Sequence, residues 1–346
     1  MSLSPLTLKR WQKFKSIRRA YYSLIIIGFV FVISLGAELI ANNKPLFVWY
    51  HGHAYFPFAH FYSEKTFGGE FITGPDYKAL NHSPAFAKGS GNLMLFPILP
   101  YGPNESLFYI QGNPPNPPTL RNPLGTDDRG RDILTRLLYG YRVSFIFAII
   151  ITLLSMALGV FLGAIQGYYG GKFDLTMQRF IEILSVLPFL YVVIIIGSSL
   201  GTSMATLLLC FLIFDWIGIS FYIRSEFFKL RQVQFVEAAR SLGVSNLKIM
   251  FRHILPNSLT PIITFLPFDL IGAIFSLSAL DYLGFGLPAP TPSWGELVRQ
   301  GMDNLSSYWL SAFPILTLFI VLLLIAFVGE GIREAFDPKE YARMES

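Results

Sequence analysis

Cysteine is almost absent from this sequence: the one copy, Cys210, sits inside an apolar run. A disulfide framework or a thiolate metal site built within one copy of the chain is thereby excluded. Charge is scarce too, at 14% of residues against 53% hydrophobic and 16% aromatic, far too little for an ordinary soluble surface. Also missing is a phosphate-cradling loop of the form G-x-x-x-x-G-K-[ST]. The nearest approach, Gly171-Lys172, has Phe173 where a hydroxyl is required and Gln166 where the first glycine belongs. The chain is therefore expected neither to bind nor to hydrolyse ATP. The net charge of +5 does not indicate nucleic acid, because the basic residues cluster beside apolar spans and form no groove-sized stripe interleaved with aromatics.

What is present is a set of apolar runs of membrane-crossing length. Residues 1–20 carry Lys9, Arg10, Lys13, Lys15, Arg18 and Arg19 with no acid, and an apolar run follows over 21–41. A cleaved signal would have a shorter apolar core, about 7–15 residues, so a retained first helix is expected. Further runs lie at 144–165, 179–223, 259–282 and 309–329. The second is too long for one crossing of about 20 residues and is divided at Gly197–Ser203, where glycine, serine and threonine cluster, giving six spans. An even number puts both termini on one side. Sixteen lysines and arginines flank the spans on that side, against one, Arg299, in the short opposite loops, so the termini are expected in the cytoplasm. The expected fold is an all-α integral membrane protein: a cytoplasmic segment 1–20, a first helix 21–41, an enlarged extracytoplasmic segment 42–143, and a core 144–346 that includes a cytoplasmic loop 224–258.

The outer segment is rich in aromatic residues and ends in Pro114-Pro-Asn-Pro-Pro118, which reads as an extended spacer. Ile133, Leu134, Leu137 and Leu138 then make one apolar helix face, expected to lie on the outer membrane interface. His51, His53 and His60 raise the question of a metal site, since an extended chain would put the first two on one face. The aromatics between them and the lack of a nearby acidic partner favour ordinary packing. Asp127, Asp128 and Asp132 alternate with Arg129 and Arg131, so local ion pairs and capping by Asp127 account for them more simply than a catalytic carboxylate set.

Asp215 and Asp269 fall inside apolar spans, where a charged side chain costs about 2.5–3.5 kcal/mol and must face protein or water. Asp269, ten residues from the start of its span at Leu259, lies near mid-bilayer and is a candidate to meet a substrate ammonium or to bond a partner subunit.

The loop 224–258 contains Gln234-Phe-Val-Glu-Ala-Ala-Arg-Ser-Leu-Gly243. Phe235, Ala239 and Leu242 fall on one helix face, Gly243 ends that helix through a positive φ, and Ser245 caps a second helix running to Pro256. Glu237-Ala238-Ala239, then Gly243, then His253-Ile-Leu-Pro-Asn257 resemble the EAA loop of importer permeases of the ATP-binding-cassette class, and Trp216 and Arg224 match as well. The segment Asn122–Asp132 resembles that family's outer signature, with Asn122 where a histidine is usual. Gly284-Phe-Gly-Leu-Pro and Pro292-Ser-Trp-Gly295 complete a similarity over roughly 120–340 to the peptide and nickel branch. The large outer segment is similar to the subgroup importing microcin C and related oligopeptides.

The resemblance implies a multi-pass subunit of the bacterial inner membrane. Its implied partners are a second permease, cytoplasmic ATPase subunits that hold ATP and magnesium, and an extracytoplasmic substrate-binding protein. It implies ATPase coupling through Glu237, Ala238, Ala239, Arg240, Gly243, His253, Leu255 and Pro256. It also implies an outer signature of Gly125, Thr126, Asp127, Gly130, Arg131 and Asp132, and a path near Asp215 and Asp269. A nickel or other small-solute importer is the alternative. A proton-driven transporter would show inverted repeats, and none is evident. An intramembrane hydrolase needs a base beside a nucleophile, whereas the histidine nearest the later spans, His253, belongs to the loop.

Overall fold

Proline, glycine and apolar length set the helix boundaries in a computed structural model of the chain, which describes residues 5–87, 89–110 and 112–336. Residues 337–346, with two of the counted C-terminal cations, Lys339 and Arg343, lie outside the described residues, as do residues 1–4. The chain divides into two compact units. One comprises Met1–Gly28, Ser144–Pro288 and Leu318–Ser346, the other Phe29–Val143 and Ala289–Thr317.

In order, the helices are α1 (Pro5–Ser16), α2 (Arg18–Leu35), α3 (Ala37–Ile40), α4 (Tyr77–Asn81), α5 (Ile133–Tyr169), α6 (Gly171–Val186) and α7 (Phe189–Leu200). They continue with α8 (Met204–Phe214), α9 (Trp216–Leu230), α10 (Gln234–Ser241), α11 (Asn246–Lys248), α12 (Leu259–Leu283), α13 (Trp294–Asp303) and α14 (Trp309–Ala335). Five stretches are long and apolar enough to cross a membrane: α2, α5, Met204–Leu230, Ile262–Leu283 and α14. The pair α6 and α7 makes a sixth if taken as one broken span, bent by 79°. The bend was not anticipated from the sequence. Pro188 disfavours helical backbone at Leu187, which is extended (φ −69°, ψ 122°), so the helix stops there. The expected division at Gly197–Ser203 is found at its far end, where Gly201 adopts φ +79°.

A separate interfacial helix at Ile133–Leu138 does not form; those residues open the 37-residue α5. Tyr139-Gly-Tyr-Arg-Val143 contains no proline, and its glycine is used for packing, since a Cβ at Gly140 would lie 3.0 Å from the Trp294 ring. At 1.5 Å per residue α5 is about 55 Å long, well beyond a hydrocarbon layer of about 30 Å.

The first unit is organised by glycine. Gly159, Gly163 and Gly167 recur every four residues on α5, and α9 presses against them. A Cβ at these positions would lie 2.6 Å from the Trp216 carbonyl, 2.5 Å from Ser220 and 2.5 Å from Arg224. Backbone contact of this closeness is how small residues join helices where the hydrophobic effect is absent. The start of α2 meets the end of α14 in the same way: Ala20 packs against Gly331, Arg19 approaches Glu330 at 3.3 Å, and Lys13 approaches Glu334 at 3.6 Å. The two ends of the described chain therefore lie together.

The second unit holds a small antiparallel sheet that the aromatic-rich sequence did not reveal, ordered β2-β1-β3 (β1 Phe47–Tyr50, β2 His53–Tyr55, β3 Leu93–Leu95). Val48 is buried and Trp49 exposed, the alternation a pleat requires. Beneath it Val48, Phe67 and Tyr77 form a core with Tyr50, Tyr55 and Phe86. His51 and His53 do not share a strand face. His51 (φ +48°) and Gly52 (φ +79°) are the two central residues of the β1–β2 turn, both left-handed as such a hairpin demands. The proline run is likewise no free spacer. The Asn116 N–H donates to Thr126 Oγ1 at 2.8 Å, and the Thr126 N–H returns to the Asn116 carbonyl at 3.0 Å.

Candidate functional site

The loop between α9 and α12 is built from the C-terminal end of α5 outward. The last carbonyls of a helix have no partner within it, and here Arg231 Nη1 donates to those of Gly167 and Tyr168, each at 3.2 Å. The Tyr168 hydroxyl holds the loop's second part through Asn246 Oδ1 at 2.7 Å. On that base α10 lies with Val236 and Ala239 buried among Ile223, Phe227, Ile249 and Met250. The expected face of Phe235, Ala239 and Leu242 is thus only one-third correct: Phe235 is exposed and Leu242 is 83% exposed. Burial follows a 236/239 register because Val236 faces α9 and the segment at 249–254.

Gly243 has φ +75° as expected. The Gly243 N–H donates to the Arg240 carbonyl at 3.0 Å and the Val244 N–H to the Ala239 carbonyl at 3.1 Å, the paired bonds of a glycine-terminated helix. Ser245 stands at the start of α11 without a side-chain capping bond. The chain then winds through a wide π-turn segment, Ile249–Ile254, and a 3-10 turn, Leu255–Ser258, into α12. His253 and Leu255 are half-buried, Pro256 is exposed, and Asn257 Nδ2 donates to the His253 carbonyl at 2.7 Å. Glu237, Ala238 and Arg240 are exposed. Glu237 has no ion pair among the described residues, while Arg240 lies over the Tyr168 ring at 5.9 Å. An uncommitted carboxylate is thereby presented on a helix whose other exposed residues include Phe235 and Ala238.

The signature segment 122–132 forms part of a buried charge network. Asp127 is fully buried; its Oδ1 accepts from the N–H groups of Arg129 and Arg131 at 3.0 and 2.8 Å, and its Oδ2 from Arg131 Nε at 2.6 Å. Arg136, also fully buried, approaches Asp127 at 3.5 Å and Glu296 at 2.5 Å, and Glu296 reaches Arg131 at 3.3 Å. Burial alone would lower the Arg131 pKa, but Asp127 and Glu296 outweigh it and hold the guanidinium charged. The capping expected of Asp127 falls to Asp132, whose Oδ1 accepts from the Thr135 N–H at 2.8 Å at the start of α5. Asp132 Oδ2 accepts from Asn122 Nδ2 at 2.8 Å, which gives the asparagine a definite role. Gly125 (φ +77°) and Gly130 (φ +74°) make the turns that close this knot.

Asp215 joins α8 to α9 and Asp269 follows Pro267 in α12. The two line one cavity of about 210 Å³, and both are exposed in the single chain.

Residues 159–340 match the family described as the binding-protein-dependent transport system inner membrane component. The chain belongs to that family. It is 43% identical to the inner membrane ABC transporter permease protein YejE of Escherichia coli K12, an alignment covering 98% of each chain. It is 41% identical to the peptidoglycan transport system permease protein YejE of Agrobacterium fabrum C58, over 98% of this chain and 95% of that one. Against the oligopeptide permease OppC of Haemophilus influenzae the identity is 37%, over 62% of this chain and 70% of the relative. Among solved structures, an inward-facing form of the MetNI methionine ABC transporter overlays with a TM-score of 0.50 at 16% identity, over 59% of this chain and 98% of that one, a likeness of fold.

Within this membrane permease, sequence reasoning passed over three elements. Glu296 completes the charge network from a distant helix, and its sequence signal was Ser293-x-x-Glu296, a capping box whose Ser293 Oγ accepts from the Glu296 N–H at 3.2 Å. Arg224 clamps Asp174 through Nε and Nη2, at 2.5 and 2.7 Å. The glycine stripe on α5 was legible as small residues at i, i+4 and i+8.

Proposed function

We propose that this permease forms, with a second permease, the membrane path of a peptide importer driven by separate ATPase subunits. The reading rests on one observation above all. In a chain of this family, α10 is anchored through Val236 and Ala239 and turned by Gly243, and it offers Glu237, Ala238 and Leu242 outward, exposed among the described residues. A rigid base under an exposed apolar and acidic face is what transmitting a push from a partner requires. Relatives named for peptidoglycan and oligopeptide transport support a peptide cargo over nickel. Alignment of both YejE proteins over 98% of the chain, against 62% for OppC, supports the enlarged outer segment as a feature of a subgroup.

The positive-charge distribution supports cytoplasmic termini and a cytoplasmic α10, with 42–143 outside. ATP and magnesium belong to the ATPase partners, and His253, Leu255 and Pro256 shape the base of the coupling loop. The outer signature shapes the extracytoplasmic side, where the binding protein delivers cargo. Charge reversal at an interface costs several kcal/mol when the partner group is basic. In the Glu237→Lys importer we expect normal insertion with loss of uptake and weakened co-purification of the ATPase. Wild-type uptake with wild-type ATPase association would remove α10 from the coupling role.

A further inference from the structure

Hydroxyl side chains along the helices of the first unit return to carbonyls of their own helix: Ser185 to Ile181 at 2.8 Å, Ser220 to Ile217 at 2.7 Å, Ser278 to Ile274 at 2.9 Å. That is the usual way for a helix in an apolar medium to satisfy them. Thr152 and Ser155 of α5 depart from it. They are 5% and 6% exposed, and neither hydroxyl oxygen has a hydrogen-bond partner among the described residues. Both line the cavity of about 210 Å³ that Asp215, Asp269 and Ser276 share. Among the described residues no lysine or arginine lines it. Two acids from different spans and two unpaired hydroxyls thus converge on one space within membrane-crossing segments, where unpaired polar groups are costly. The exposure of both aspartates means that the cavity opens to the outside of the chain, and lipid is excluded as the occupant by their charge.

We propose that Asp215, Asp269, Thr152 and Ser155 form a receptor for a primary ammonium group. An ammonium carries one positive charge and three N–H donors in a compact head. Those donors match two carboxylates and a hydroxyl, and the charge offsets the repulsion between the aspartates. A divalent metal fits less well, because it needs about six oxygens at close range, and no group of three His, Cys, Asp or Glu among the described residues is placed to hold one. The ammonium can come from the amino end of a transported peptide or from a free small amine. The first source rests on the peptide-importer reading; the second does not.

The test places a reporter thiol at Ser276, leaving the four receptor residues intact, in a Cys210→Ser importer reconstituted with its partners. The rate at which a small methanethiosulfonate modifies Ser276→Cys is followed while salts are varied at constant ionic strength. Methylammonium is expected to slow modification several-fold. Tetramethylammonium, which has no N–H, and magnesium are expected to leave the rate unchanged. Asp269→Asn should abolish the protection and Thr152→Val should weaken it. Equal protection by tetramethylammonium or magnesium, no protection by methylammonium, protection that survives both substitutions, or a thiol that never reacts would each overturn the receptor. A second arm compares a peptide with its N-acetylated form during binding-protein-dependent uptake. Protection by the free amine alone assigns the ammonium to the cargo. Methylammonium protection without any peptide effect keeps the receptor and rejects the cargo as its source.

Discussion

Asp127 accepts two backbone N–H groups on one oxygen, holds Arg131 on the other, and stands 3.5 Å from Arg136, with all three side chains buried. Removing one partner of a buried ionic cluster strands the others, at about 3–5 kcal/mol. Asp127→Asn keeps the shape and one acceptor but leaves two guanidinium groups to share the carboxylate of Glu296. We expect a loss of stability in that range, read as a lower midpoint in thermal unfolding of the purified protein. Gly243 poses the opposite case. A Cβ there would meet nothing within 4 Å among the described residues, so space is not what forbids a side chain. Its φ of +75° is, and a β-branched residue in that region costs on the order of 1–3 kcal/mol. Gly243→Val is therefore expected to express and insert, yet to turn the chain after α10 the wrong way. Uptake should fall sharply while yield in the membrane stays near that of the wild type. The backbone requirement at Gly243 was legible from sequence, since a glycine after an amphipathic helix is a stop signal. The sharing of Asp127 with Arg136 was not, because it depends on where α5 begins.

At the scale of elements, α5 and α9 are held by absence of side chain. Each of Gly159, Gly163 and Gly167 admits a carbonyl of α9 into the space a Cβ would fill. Gly163→Leu would force the helices apart or bend them, and overpacking of this kind costs about 1–3 kcal/mol. The expected outcome is a destabilised chain whose α10 loses its base, because Tyr168 and Arg231 connect α5 to the loop. It would be detected as faster proteolysis within 224–258, and unchanged cleavage there would argue that the loop does not depend on this helix pair. The same scale explains why the α6–α7 bend was missed. Apolar length pointed to one straight span, whereas Pro188 sets the local dihedrals of its neighbour irrespective of hydropathy. Short strands of three and four residues rich in aromatics were equally hidden, since their alternation is too brief to stand out from the surrounding composition.

At the scale of the whole molecule, the meeting of α2 with α14 at Ala20 and Gly331 places both ends of the described chain together, and the positive charges predict that this side is cytoplasmic. Cysteines introduced singly at the exposed residues Ser16, Ser90 and Ser241 in a Cys210→Ser background test this. An impermeant maleimide added outside intact inner-membrane spheroplasts should label Ser90→Cys alone. Labelling of Ser16→Cys or Ser241→Cys from outside would reverse the orientation.

Much of this was fixed by composition and order alone. Apolar length determined that the chain crosses a membrane, positive charge predicts an orientation, and the Glu237-to-Asn257 spacing marked the loop, because bilayer thickness and helix stops act locally along a sequence. The tertiary structure decided which helix faces are buried, as Val236 in place of Phe235 shows. It brought Glu296 to Arg131 and Arg136, and it gathered Thr152, Ser155, Asp215 and Asp269 around one cavity. Those outcomes depend on packing between segments up to 165 residues apart, as from Arg131 to Glu296. No local pattern carries that information, because a helix of uniform hydropathy offers several faces and only its neighbours choose among them.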